Sequence, residues 1–220
     1  SYCAISALLI MVLFHSPLHI RSEKIRFAFQ LNGNELLFTL LASSAWGFFN
    51  AGYVVYLSFA PSILIVQGIN TVSALGIISI ASWIMIFSGA LCGYIADRSG
   101  RADLIVFICL AFSMLSLLLL CFTTAHLISV LIFGLIGMAP AGLIMALAAR
   151  AMRPKNRAFG MGIFFVGQFL LQGPAPGIAG WIYDNTLNPT FPLLFAIFLF
   201  LATALATVVF NLLRKRMSIE

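Results

Sequence analysis

The sequence predicts an all-α polytopic membrane protein of seven transmembrane helices, six of them a 3+3 inverted-repeat bundle. Three observations carry that prediction. The chain is 62% hydrophobic and 8% charged, with a mean hydropathy of +1.10, where soluble domains carry about 25% charged residues. Its apolar residues gather into seven blocks of the length a bilayer requires, about 20 residues each, and no Lys, Arg, Asp or Glu lies deep inside any of them. All twelve Lys and Arg fall in four of the segments outside the blocks, and the remaining three connectors hold none.

The first block, residues 2–19, has basic residues after it and none before it. That polarity is wrong for a signal peptide, so the block is read as a span, and the chain is expected to begin part-way through a longer protein or at the end of a helix whose predecessors are absent. Residues 20–35 form the long connector. Arg21, Glu23, Lys24 and Arg26 alternate with Ile25, Phe27, Phe29 and Leu31, a pattern that suits a segment lying on the membrane surface. "NGNE" at 32–35 supplies a turn, with Asn34 the expected cap of the next helix.

Six further blocks follow, at 36–60, 72–96, 104–122, 127–149, 159–183 and 191–213, and a basic tail closes the chain at 214–220. The organisation is thus 1–19, one helix; 20–35, an interfacial linker; 36–213, a six-helix bundle; and 214–220, the tail. Because basic loops stay inside, segments 20–35, 97–103, 150–157 and 214–220 are placed in the cytoplasm. The N-terminus is then outside and the C-terminus inside. The net charge of +6 is explained by this sidedness, and no nucleic-acid partner is expected. Six spans divide into two trios, and an odd trio forces the second to run opposite to the first.

Small residues mark the expected close contacts. Gly89 and Gly93 form a GxxxG pair, as do Gly173 and Gly177, a spacing that lets helix backbones approach. Pro174 and Pro176 in "QGPAPGIAG" remove amides inside a span, so a bend is expected there, facing protein or a cavity. Cys3, Cys92, Cys109 and Cys121 lie within or at the ends of apolar blocks, without metal-ligand spacing, and read as buried apolar side chains. Cys3 and Cys121 share the outer face, where a bridge is conceivable. No metal or cofactor is expected.

Against this background "GYIADRSGR", residues 93–101, stands out. Asp97 meets the negative end of its helix dipole, an unfavourable position that calls for a counterpart. Arg98, Arg101 or the N-terminus of another helix would serve. Gly100 suits a tight turn, and Asp103 suits the start of the following helix. On spacing alone the stretch is a solvated loop between a helix stop and a helix start.

The stretch resembles the cytoplasmic signature of the major facilitator superfamily, which Gly93, Asp97, Arg98, Gly100 and Arg101 fill. It lies between the second and third spans of the six-span unit, where that family carries it. "RPKNRAFGMGIFF", 153–165, followed by "GPAPGIAGWIYD", 173–184, looks like the entry and body of the family's eleventh helix. The resemblance covers most of the chain and implies the last helix of the first half plus the whole second half. It implies a secondary transporter of a bacterial inner (plasma) membrane, a permease of a small solute, with small organic or inorganic anions the nearest flavour. Two bundles would rock about a central site, opening to one side at a time. Asp97 would act as a gating residue, reaching a helix N-terminus of the other half and stabilising the outward-open state.

In this family the first, second, fourth and fifth helices of each half line the pathway. Trp46, Asn50 and Tyr53, spaced i, i+4, i+7, share one face of the first helix. Gln168 and Gln172 share a face of the fifth, and Ser79 and Trp83 a face of the second. These are the substrate-pathway candidates, although interhelical polar contacts use the same residue types, at about 0.6 kcal/mol each. No carboxylate lies in a span to relay protons, and no cation lies in one to meet an anion. His15, His19 and His126 fall near the membrane surfaces.

Two rival readings differ in class. A seven-helix receptor or signalling protein without transport activity has the same topology, but it leaves "GYIADRSGR" and the long linker unexplained. An intramembrane enzyme needs a base or metal cluster at depth, and no His, Asp or Glu is there to supply one. The expected partners are the bilayer, a small solute and the missing half or a second polypeptide.

Overall fold

The computed structural model describes residues 31–217. The predicted span at 2–19 lies outside the described residues, as do nearly all of the surface linker, Cys3, His15 and His19. Six helices, each long and apolar enough to cross a membrane, make up the rest: α1 (Gly33–Val66), α2 (Thr71–Ser99), α3 (Ala102–Phe122), α4 (His126–Ala151), α5 (Pro154–Thr186) and α6 (Thr190–Met217). No strand occurs among the described residues. Even α3, the shortest at 21 residues, reaches the roughly 30 Å of a bilayer core at 1.5 Å per residue.

Each helix overruns its apolar block or matches it, because polar caps lie outside the block. The cap of α1 is Asn32, not Asn34, which sits inside the first turn. The Asn32 side chain accepts from the Gly33 amide at 2.9 Å, and Glu35 returns a bond from the Asn32 amide at 3.3 Å. This reciprocal capping box satisfies orphan donors at both positions, an option Asn34 lacks. It also draws Glu35 from the connector into the helix. At α2 the Asn70 side chain accepts from the Ser73 amide at 2.9 Å. The same helix ends on Gly100 at φ 65°, a left-handed conformation that costs glycine no Cβ clash, as the turn requires. Asp103 lies in the first turn of α3, where the dipole favours it.

α1 is the centre of the bundle. It packs most extensively on α6 and α5, and it also touches α2, α3 and α4. Aromatic rings fill the core between them: Phe49 and Phe133 each lie edge-on to Phe200, at centroid distances of 5.8 and 6.1 Å. Burial is uneven around this centre. Of the most apolar 18-residue stretch of each helix, 50% is buried in α1 and in α4, against 22% in α2 and in α5.

Two helices break at membrane depth. α4 passes through a π-helical turn at Phe133–Gly137 and a tight turn at 138–140 before resuming at Ala141. Broken backbone in lipid needs its polar groups met by protein, and two serines do this. Ser88 of α2 donates to the Gly134 carbonyl at 2.8 Å, and Ser113 of α3 to the Gly137 carbonyl at 2.8 Å. Both glycines are required by closeness: a Cβ on Gly134 would stand 2.8 Å from the Ala81 carbonyl oxygen, and one on Gly137 2.9 Å from the Ser113 hydroxyl. In α5 the regular helix is interrupted at residues 173–174, where both residues keep right-handed helical angles and Pro174 opens the segment Ala175–Thr186.

The two GxxxG pairs do not make the expected contacts among the described residues. A Cβ on Gly93 or Gly177 would meet nothing within 4 Å, one on Gly173 would meet only its own helix at Phe169, and one on Gly89 would reach the Ala139 carbonyl at 4.0 Å. Both pairs lie on the two least covered helices. The close approaches are made elsewhere, by Gly47, Gly52, Gly134, Gly137 and Gly167.

Candidate functional site

α1 and α5 both start at the basic end of the bundle and run side by side in the same direction. Their pairing keeps a constant register. Glu35 Oε2 accepts from Asn156 Nδ2 at 2.6 Å, and one level further in Ser43 Oγ donates to the Phe164 carbonyl at 2.7 Å; both pairs are 121 residues apart. Gly47 faces Gln168 at the same offset, and a Cβ there would stand 3.2 Å from the Gln168 carbonyl oxygen and 3.1 Å from the Leu171 Cβ. Small residues on α1 therefore let α5 lie close. The register sets Asn50 level with Leu171 and Gln172, so the two best polar stripes predicted from sequence lie at the same depth, about four turns in from the basic end.

The α1 stripe is half-buried. Asn50 Nδ2 donates to the Trp46 carbonyl at 2.8 Å, which holds the amide along its own helix. The Trp46 ring stacks on Phe49 at 5.9 Å. Tyr53 turns to α2, its hydroxyl 3.0 Å from that of Ser82. On α5, Gln168 is 7% exposed. Its Nε2 donates to Gln172 Oε1 at 3.1 Å, and the other end of its amide has no partner among the described residues. A buried polar atom left so is rare and costly, and it marks a place for a ligand or a water.

Ser79 and Trp83 do not join this group. The Ser79 hydroxyl bonds its own helix at the Leu75 carbonyl, 2.8 Å away. Trp83 is 69% exposed on the outer face of α2. Tyr56 was missed by the sequence reading. It is 1% exposed, its ring lies 3.9 Å from that of Phe133 in the π-helical turn, and its hydroxyl has no partner among the described residues. The signal was present in "NAGYVVY", where Tyr56 lies one turn beyond Tyr53.

Glu35 was missed too. It is 9% exposed and accepts from Asn156 Nδ2, from the Arg153 amide at 3.1 Å and from the Asn32 amide; the Arg153 guanidinium approaches at 3.7 Å. Three donors and a cation fill both oxygens. The group ties the start of α1 to the entry of α5, directly below the register contacts.

The charged turn is built differently. Asp97, Arg98, Gly100 and Arg101 are exposed, and Gly93 is half-buried. Arg98 Nη1 donates to the Tyr94 hydroxyl at 3.1 Å, and the Arg101 amide donates to Ser99 Oγ at 3.3 Å. Neither arginine meets Asp97, which makes no hydrogen bond or ion pair among the described residues. The ion pair of this region is Asp103 with Arg150, 3.3 Å apart, and it ties the start of α3 to the end of α4.

Among known proteins, the family model described as Major Facilitator Superfamily matches residues 2–176. No curated protein and no solved structure matches.

Proposed function

We propose a mechanism from one premise: the chain belongs to the Major Facilitator Superfamily. It is an integral membrane protein of transmembrane transport, and its family consists of secondary transporters rather than enzymes. The seven-helix receptor reading finds no support in that membership.

The finer reading is as follows. The chain is the last helix of a transporter's first half, a cytoplasmic surface linker and the second bundle, whose six helices form two inverted trios. It moves a small solute, an anion in the nearest case, by alternating access, together with a first half or a second polypeptide. Basic segments face the cytoplasm of a bacterial cell. The solute meets Trp46, Asn50 and Tyr53 on α1 and Gln168 and Gln172 on α5. Ser79 and Trp83 face outward from the described bundle, where the other half would complete the pathway. The bend at Pro174 and Pro176 lets α5 flex beyond Gln172.

One observation carries this reading: the fixed register of α1 and α5 sets the two polar stripes level, with part of the buried Gln168 amide unpartnered. Neutral amides and hydroxyls would hold an anion by hydrogen bonds, leaving its charge to the other half. The test is uptake into proteoliposomes by the full-length protein against a panel of small anions and neutral metabolites. Asn50→Ala with Gln168→Ala is expected to lower uptake of the transported solute at least tenfold, since two hydrogen bonds of about 1 kcal/mol each are lost. Unchanged uptake kinetics would remove the site.

A further inference from the structure

We propose that Cys92 and Cys109 form a dithiol site for a thiophilic metal or metalloid centre that makes two bonds to sulfur. The two thiols come from different helices, α2 and α3, and meet in one buried cluster with Ala139 of α4. Each cysteine is 6% exposed and neither is in a disulfide. They line a cavity of about 220 Å³ together with Ser88, Ile105, Leu135 and Ile136. The cavity is open at the outer surface of the bundle, where Leu91, Ile95 and Leu135 are exposed, so the paired thiols can be reached from apolar surroundings.

The lining selects the ligand class. Ser88 is the sole hydroxyl side chain there, and it is committed to the Gly134 carbonyl at 2.8 Å. The described residues hold no group of three or more His, Cys, Asp or Glu, so a zinc site with its four ligands is not available. Hard cations require oxygen ligands, which the cavity lacks. Thiolates select soft centres. Charge narrows the class further, because apolar walls penalise a net charge. A monovalent ion held by two thiolates leaves one negative charge. A divalent soft ion, or an organoarsenic(III) group, leaves none. For an arylarsine oxide the step is ArAs=O + 2 RSH → ArAs(SR)₂ + H₂O: two As–S bonds form, the oxygen leaves as water with both thiol protons, and nothing is oxidised. The free volume accommodates part of an organic substituent, and Leu91 and Ile95 at the lining are 59% and 47% exposed, which gives an apolar way in.

The site also has a mechanical consequence. Cys92 lies five residues before Asp97 and Cys109 six after Asp103. A bridge between them would fasten α2 to α3 about one and a half turns inside the charged turn. This consequence rests on the proposed transport reading; the binding itself does not.

The experiment uses the full-length protein with Cys3 and Cys121 replaced by serine, treated with phenylarsine oxide and read by intact mass. One adduct that survives excess monothiol and is removed by 2,3-dimercaptopropanol is expected. Digestion should recover the arsenic joining the peptides that carry Cys92 and Cys109. Cys92→Ala and Cys109→Ala should each abolish the monothiol-resistant adduct. Absence of an adduct, release by monothiol, or retention in either single variant overturns the proposal. The peptide map on the parent protein decides the matter even where a variant fails to fold. Loss of uptake on arsenical treatment, restored by the dithiol, would extend the result to transport. A bound but fully active protein would sink only the mechanical consequence.

Discussion

Two carboxylates stand at the basic end of this bundle, and the fold treats them in opposite ways. Glu35 is 9% exposed and takes three hydrogen bonds and a guanidinium. Asp97 is exposed and takes none among the described residues. Burying a carboxylate is tolerable only when donors replace the lost water, so Glu35 is a finished internal joint. Asp97 is exposed at the unfavourable end of its helix dipole, with the Arg98 guanidinium on the Tyr94 hydroxyl and no ion pair to Arg101. The helices that carry these residues differ in the same sense. α1 is among the most enclosed and α2 among the least, at 50% and 22%. A saturated charge belongs to the bundle's own stability; an unsaturated one is free to act on something outside it.

That contrast is broken most directly at Glu35. Glu35→Ala removes the acceptor of Asn156 Nδ2 and of the Arg153 amide, and it opens the α1 capping box. A loss of about 3 kcal/mol is expected, because bonds to a charged acceptor contribute roughly 1.5–3 kcal/mol and their buried donors are left unpaired. Denaturant unfolding of the purified protein reads it. A loss below about 1 kcal/mol would show that the joint is not what holds α1 to α5.

The partners should rank below it, and by burial rather than by charge. Asn156 is 5% exposed and makes the shortest bond, so Asn156→Ala is expected to cost about 1–2 kcal/mol. The Arg153 guanidinium is 68% exposed, so Arg153→Ala should cost no more than about 0.5 kcal/mol, as surface pairs do, while its backbone amide still reaches Glu35. The reverse order would mean that the ion pair dominates.

The same contrast explains what was legible in the sequence. Charge exclusion and block length located all six described helices, because a bilayer punishes misplaced charge directly. The charged turn was legible as a local pattern, and Gly100 took the left-handed turn it required. Glu35 was half-legible. Asn32 and Glu35 have capping-box spacing, but Asn156 lies 121 residues away and no local rule points to it. The break in α4 was not read, although Gly134, Gly137 and Pro140 all lie there. Its backbone is completed by Ser88 and Ser113 from two other helices, which is a tertiary fact. The GxxxG pairs misled for a related reason: spacing names a face and cannot say what covers it. In the proposed site, Trp46 and Asn50 are joined along α1, where the Asn50 amide donates to the Trp46 carbonyl. Tyr53 was recruited by Ser82 of α2 instead.

Asp97 gives the smallest effect on stability and the sharpest test of the comparison. Asp97→Asn keeps the shape and removes a charge that has no partner among the described residues, so unfolding of the bundle should shift by less than about 0.5 kcal/mol. Under the proposed gating role, the effect is expected in conformational populations. If the carboxylate meets a helix N-terminus of the other half when the basic side is closed, that contact contributes about 1 kcal/mol and shifts the ratio of the two states about fivefold. Thiol labelling of the full-length protein, at a cysteine engineered beside Lys155 in a cysteine-free background, reads the population open at that end. Faster labelling in Asp97→Asn, with unchanged unfolding, is the expected pair of results. Unchanged labelling and uptake would strip Asp97 of its gating role. A large loss of stability would mean that Asp97, like Glu35, is satisfied inside the protein and that the contrast between the two carboxylates is false.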